Sequence, residues 1–248
     1  MDQTTIDQLN QINADFYNRV GASFDATRSY NRSGWFTILE RFQAHAAGMA
    51  AYHVLDVGCG NGQFGKFLAG HLDTPLCYHG IDTNAYLLAQ ARDNLPSGDF
   101  TRLDFVADLD ALRQVEGRYH AVVLNNVLHH VPAFARRRDL LLACAAKLRP
   151  GGWLVFTLWQ FFTKEKWRAR IVSWETRPHI DRAQLEPHDY LLDWRKGEQA
   201  VRYCHFTGDD ECSALCEALA AGRTSIAETF LADGKTGDLN RYVIAQGA

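Results

Sequence analysis

The sequence has no apolar run approaching the ~20 residues needed to cross a bilayer. Its opening, MDQTTIDQLNQINADF, lacks the basic and apolar regions of a signal peptide, so none is expected there. Charge of one dominant sign is also missing. The 26 Lys and Arg stand against 29 Asp and Glu, a formal net of −3, so no global positive field points to nucleic acid, while local basic patches stay open. There is no CxxC pair. Cys59, Cys77, Cys144, Cys204, Cys212 and Cys216 are scattered, mostly in apolar segments where a free thiol behaves as a small hydrophobe. That usage fits a reduced, cytoplasmic compartment. Cys204, His205, Cys212 and Cys216 do not follow the spacing of a zinc ribbon or finger, and His129 and His130 lack the HExxH pattern. No metal is expected.

With 47% hydrophobic residues in 248, the chain can bury one large core. SGWFTILERFQAHAAG carries Trp35, Ile38, Leu39 and Phe42 at helical spacing, with Ser33 as the expected N-cap and Gly48 as the stop. Short apolar runs then recur between turn residues: YHVLDV, CYHGID, LDFVAD, HAVVLNNV and WLVFTLW. Between them lie helical segments, NAYLLAQARDNL and RRRDLLLACAAKLRPGG, the second expected to end on Lys147 and Arg149 before its Pro-Gly-Gly. Alternation of this kind predicts a parallel sheet covered on both faces. Farther on, VRYCHFT, TSIAETFLA and NRYVIAQ predict strands, with a helix in DDECSALCEALAAG and an antiparallel finish. The irregular stretch 160–200 reads as an insertion over the sheet.

The sharpest local signal is VLDVGCGNG at 54–62. A strand runs into Gly58, Gly60 and Gly62 and then into a helix, the layout of a nucleotide-binding turn. A merely tight turn would need one or two glycines. The G-x-G-x-G spacing differs from the G-x-G-x-x-G of dinucleotide folds, which disfavours a dehydrogenase. Asp82, twenty residues after Gly62, ends the second predicted strand, where a carboxylate can accept both hydroxyls of a ribose. Its alternative role, capping the next helix, is open equally to Thr83 and Asn84. Asp108 is expected to close the third strand, and Asn125 and Asn126 the fourth.

VLDVGCGNG, GIDTN, FVADL, LNNVLHHV and LRPGGWLVF resemble, in order over residues 52–158, the successive motifs of class I S-adenosylmethionine (SAM) methyltransferases. The resemblance implies an α/β fold with a Rossmann-like, seven-stranded, mostly parallel sheet whose last strand is antiparallel. It implies one domain: a helical substrate-side cap over 1–50, the cofactor core over 51–159, the insertion over 160–200, and strands over 201–248 completing the sheet. It also implies SAM as cofactor. Gly58, Gly60 and Gly62 would lie under its methionyl part and Asp56 near its ammonium. Asp82 would hold the ribose and Asp108 approach the adenine, with Asn61, Thr83, Leu109 and Asn125 also at the cofactor.

The flanks FYNRVGASFDATRSYNRSGW, HHVPAFARRRDLL, DYLLDW, VRYCHF and LNRYVIA resemble the branch that esterifies the 5-carboxymethyl group of the tRNA wobble uridine. That branch includes the methyltransferase domain fused to an AlkB-type hydroxylase in animals. The chain departs from it at Leu239-Asn240-Arg241 and at Trp159-Gln160. The resemblance implies tRNA as partner and a small zinc-binding activator subunit. A carboxylate acceptor is already ionised at neutral pH and needs orientation more than a base, which suits the forked donors of Arg28 or Arg202. His130 completes the expected catalytic set, with Tyr17, Trp35, Trp159 and Tyr203 available to stack on a base. Arg136–Arg138 and KEKWRAR would meet phosphates, or else form solvated helix faces. Two alternatives remain: a small-molecule carboxyl or O-methyltransferase on the same core, and a non-catalytic partner subunit, against which the intact glycine loop and Asp82 argue.

Overall fold

The computed structural model describes residues 1–25, 31–195 and 198–248. In chain order the helices are α1 (Gln3–Asp25), α2 (Ser33–Ala46), α3 (Gln63–His71), α4 (Ala85–Asn94), α5 (Leu109–Gln114), α6 (Phe134–Ala145), α7 (Glu165–Arg168) and α8 (Asp209–Ala221). The strands are β1 (Tyr52–Val57), β2 (Leu76–Asp82), β3 (Asp99–Arg102), β4 (Tyr119–Leu124), β5 (Leu148–Trp159), β6 (Ile171–Val172), β7 (Asp189–Trp194), β8 (Ala200–His205), β9 (Thr224–Ala232) and β10 (Asn240–Gly247). None of these helices is long and apolar enough to cross a membrane.

Seven strands form one sheet in the order β3-β2-β1-β4-β5-β10-β9. The first five run parallel, and β10 inserts antiparallel between β5 and β9. Continuous apolar strands are explained by cover on both faces. Leu55, Val57, Val122 and Leu124 join one core with α6 and α8, whereas Val54, Ala121 and Val123 join another with α2, α3 and α4.

The sequence placed the third strand too late. β3 pairs with β2 only from Asp99 to Arg102, and LDFVAD lies beyond it. Asp104 closes a turn there, its Oδ1 accepting from Ala107 N at 2.9 Å while its carbonyl accepts from Asp108 N. Phe105 drops from that turn into the core. Three smaller expectations also fail. Arg32, not Ser33, occupies the N-cap of α2, and the Ser33 hydroxyl bonds Asp233 instead. Helix α6 stops at Ala145, so Lys147 follows it and Arg149 lies in β5. The Lys147 ammonium instead donates to the carbonyls of Arg113 and Val115 at the end of α5.

A second, antiparallel sheet, β6-β7-β8, forms from the insertion. Its third strand is Ala200–His205, so residues 201–205 pair with β7 rather than completing the large sheet. Helix α1 lies against this small sheet. Its stripe of Leu9, Ile12, Phe16 and Val20 packs on Leu191, Tyr203 and Trp194.

One ionic cluster ties the small sheet to α6 and α8. Arg137, fully buried, donates to Glu186 at 2.7 Å, Glu211 at 2.6 Å and the Val131 carbonyl at 3.0 Å. His205 bridges Asp189 and Glu211 through its two ring nitrogens, at 2.7 and 2.6 Å. Burial would lower its pKa, but hydrogen bonds to the two carboxylates raise it overall. Arg137 therefore cannot meet a phosphate. Arg136 bonds Gln3 and the Val106 carbonyl, and Arg138 pairs with Asp139. Replacing Arg137 by Met should strand two half-buried carboxylates and cost up to about 3–5 kcal/mol. Arg138→Ala should cost at most about 1 kcal/mol, because its ion pair is exposed. Urea unfolding of both variants checks this; equal losses would contradict it.

Candidate active site

Backbone conformation favours glycine at 58, 60 and 62, and packing adds a second reason at two of them. All three have positive φ, at +78°, +55° and +74°. A Cβ on Gly58 would strike Val127 at 2.4 Å, and one on Gly62 would press on Ala91 at 3.1 Å, so these two allow close packing. A Cβ on Gly60 meets nothing within 4 Å. That glycine faces open space, and its bare backbone is what a ligand would approach.

Asp82 organises this loop. Its Oδ2 accepts from Gly60 N at 2.9 Å and its Oδ1 from Asn84 N at 2.8 Å. Asn84 is the N-cap of α4, accepting from Leu87 N, which leaves Asp82 free of that duty. Burial raises the Asp82 carboxyl above its ordinary pKa, and the amides of Asn84, Gly60 and Thr83 pull it back. Thr83 is exposed beside it. Asp56 lies beneath, 1% exposed, with Oδ2 accepting from the Tyr78 hydroxyl at 2.5 Å. Burial first, then the charge of Asp82, pushes its carboxyl up to about 7, against the Tyr78 bond. Asp56 Oδ1 and both polar atoms of the Asn125 side chain are buried without a partner among the described residues. The Asn61 amide is taken by Asp25 at the end of α1, at 2.6 Å. Asp108 is not at a strand end: it caps α5 through Ala111 N, and Leu109 begins that helix. The acid that follows β3 is Asp104, which the sequence reading missed.

The other half of the site is built by α1, the turn after β4, the end of β5, and β8. Arg202 is 3% exposed, its guanidinium 5.2 Å from the Phe16 ring centre and 4.9 Å from that of Trp159. Its Nε is buried without a partner, and it has no ion pair among the described residues. Trp159 also touches His129, 5.1 Å between ring centres. His130 Nδ1 lies 3.0 Å from the Tyr203 carbonyl. A carbonyl only accepts, so Nδ1 carries the proton, and in the neutral ring Nε2 accepts from the Tyr17 hydroxyl at 2.8 Å. Tyr203 does not stack on a substrate: its ring is fully buried and its hydroxyl donates to Asp189 at 2.7 Å. Trp35 is likewise core, against Phe64 and Phe67. Arg28 lies outside the described residues. Cys204, His205, Cys212 and Cys216 do not gather. The ligand-like groupings among the described residues are instead His129 with His130 and Cys204, and Glu186 with Asp189 and His205.

Residues 55–154 match the methyltransferase-domain family. This span carries the methyltransferase-domain pattern on an α/β fold of the class I kind, and solved methyltransferases of that fold hold SAM or S-adenosylhomocysteine. Among curated relatives, the chain is 36% identical over 115 residues to the ubiquinone biosynthesis O-methyltransferase of Burkholderia multivorans, covering 46% of each. It is 35% identical over 112 residues to that of Thiobacillus denitrificans, covering 45% of this chain and 46% of the relative. The chain thus spans about half the length of the curated relatives it matches. Among solved structures, it resembles magnesium protoporphyrin IX methyltransferase from Synechocystis PCC 6803 with TM-score 0.64 and 16% identity, over 96% of this chain and 99% of that one. An amino pentose methyltransferase from Micromonospora echinaspora gives 0.61 and 19%, over 92% and 96%. At these identities the likeness is one of fold.

The methyltransferase domain has groups that suit the cofactor. Gly60 offers open backbone, Asp82 retains accepting capacity for a ribose, and Asp56 Oδ1 awaits a donor such as an ammonium. Asn125 offers a donor and an acceptor together.

Two outcomes follow for SAM binding. Asp82→Ala should lose roughly 1.5–3 kcal/mol for each charged hydrogen bond removed, at least about tenfold in Kd. Calorimetry on a variant with native circular dichroism checks it, and an unchanged Kd would refute the ribose assignment. An ammonium beside Asp56 favours its carboxylate, so binding should expel a proton wherever free Asp56 is protonated. Affinity should then rise with pH up to about 7 and flatten above it. Asp56→Asn should remove that slope; a wild-type slope in the variant would contradict it.

Proposed function

We propose that the whole chain is a SAM-dependent O-methyltransferase whose acceptor is a small molecule bearing a hydroxyl and a nearby anionic group. The observation that carries this reading is the Nε of Arg202, buried and unpaired among the described residues, on the strand whose next residue, Tyr203, holds the His130 imidazole by its carbonyl. A desolvated guanidinium with no counter-charge among the described residues is costly unless a ligand supplies one. The O-methyltransferase names of the curated relatives support the same reaction class.

Bound SAM supplies an electrophilic methyl group at the carboxyl end of the sheet. Gly58–Gly62, Asp56, Asp82 and Asn125 would hold it there. Arg202 orients the acceptor through its anionic group, between the rings of Phe16 and Trp159. A hydroxyl, unlike a carboxylate, must lose a proton to become a good nucleophile. That proton passes to the Tyr17 oxygen as the Tyr17 proton passes to His130 Nε2, and the Tyr203 carbonyl steadies the resulting imidazolium. This relay favours a hydroxyl over a carboxylate as the methylated oxygen.

The competing acceptor is the carboxymethyl wobble uridine of tRNA, with or without a zinc-binding activator. It has less support, because Arg136, Arg137 and Arg138 are engaged by Gln3, Glu186, Glu211 and Asp139, which leaves KEKWRAR as the basic segment open to phosphates. The deciding assay incubates the protein with labelled SAM and either hydroxyaryl carboxylic acids or tRNA carrying the carboxymethyl group, and identifies products by mass spectrometry. Methyl ethers of the hydroxy acids are expected. Methyl ester on tRNA alone would overturn the reading. Arg202→Met should lower kcat/KM for the acid substrate at least about tenfold, as expected for a lost charged hydrogen bond, and leave SAM affinity unchanged. Undiminished kcat/KM would exclude Arg202 from the acceptor.

A further inference from the structure

Tyr203 is held at every polar group it has. Its hydroxyl donates to Asp189 at 2.7 Å, its carbonyl accepts from His130 Nδ1 at 3.0 Å, and its backbone N–H donates to Asn13 Oδ1 at 2.9 Å. The Asn13 side chain then turns back: its Nδ2 donates to the His130 main-chain carbonyl at 3.3 Å. The two partners fix which end of the amide is which, because an N–H must meet oxygen and a carbonyl must meet nitrogen. Asn13 is 8% exposed and sits on α1, one turn before Tyr17, which itself bonds His130 Nε2 at 2.8 Å. One helix therefore touches the histidine twice, at its backbone and at its ring.

We infer that Asn13 is the positioning residue of the proton relay, clamping the His130 backbone to the β8 backbone so that the imidazole keeps its Nδ1 proton on Tyr203 and its Nε2 lone pair toward Tyr17. This rests on His130 acting as the base. The physical demand is specific. The Nδ1–H to Tyr203 bond joins two segments 73 residues apart, the turn after β4 and β8, and their spacing sets whether that bond forms. Where the bond is loosened, the neutral ring samples the other tautomer, which carries its proton on Nε2 and cannot accept from Tyr17. Asn13 spans those two segments with a single amide, its Nδ2 donating to the His130 carbonyl and its Oδ1 accepting from the Tyr203 N–H. No other uncharged side chain of that length offers both.

The test uses the full chain labelled with 15N-histidine, with the His130 signals assigned by their loss in His130→Gln. Wild type should show the neutral ring with its proton on Nδ1. Asn13→Ala should show a mixture of tautomers, a shifted pH profile of kcat and a fall of about tenfold in kcat, part of the 10²–10⁴-fold that a positioned base contributes, with SAM affinity intact. Asn13→Asp keeps the acceptor for Tyr203 N–H and, when ionised, loses the donor to His130, so variant protein with native circular dichroism above the carboxyl pKa should show a loosened ring. A wild-type tautomer and pH profile in folded Asn13→Asp or Asn13→Ala would overturn the inference. Full activity in His130→Gln would instead defeat the base assignment, whatever the Asn13 spectra show, so the two failures are distinguishable.

Discussion

A single carboxylate, that of Asp82, sets the distance between the ends of β1 and β2. It bridges the Gly60 and Asn84 amides, and so couples the glycine loop to the start of α4. The loop is held from below as well, by Gly58 N and Cys59 N donating to the Ile81 carbonyl. Gly58 then permits Val127, from the turn after β4, to close against the loop. The glycine loop and the turn that carries His129 and His130 meet at that contact. Shifting the loop would therefore shift the imidazole.

The acceptor side has its own anchor. Arg137, buried in the helix layer, balances Glu186 and Glu211. Glu211 bonds His205, and His205 bonds Asp189, which takes the Tyr203 hydroxyl. This chain of charge fixes β8 from behind, while α1 fixes it from the front through Asn13 and the Leu9 stripe. Buried ion pairs add little net stability compared with apolar packing, but they tolerate few geometries. In this protein they hold β8, and with it Arg202 and the Tyr203 carbonyl, in place.

Much of this was legible locally. The glycine loop, Asp82 and the sheet with its antiparallel strand follow from turn chemistry and apolar periodicity, which act over a few residues. The failures have a common cause in distant partners. Leu103, Phe105 and Val106 have strand-like composition, yet Asp104 between them closes a turn once β2 runs out of pairing. Of three successive arginines the middle one is buried, because successive helical residues point about 100° apart, and its partners lie 49 and 74 residues away. Tyr203 looked like a stacking platform, but it uses its backbone at the site and its ring in the core. Asn13 gave no motif at all. Its two contacts, at 117 and 190 residues' separation, exist only in the fold.

A crystal structure of the protein with S-adenosylhomocysteine tests the central claim, that two separately anchored halves face each other across the turn after β4. The account predicts the ribose on Asp82, the amino group toward Asp56, and the sulfur opening toward Arg202 and the Tyr17–His130 pair. S-adenosylhomocysteine bound elsewhere, or with its sulfur turned away from Arg202 and His130, would contradict it.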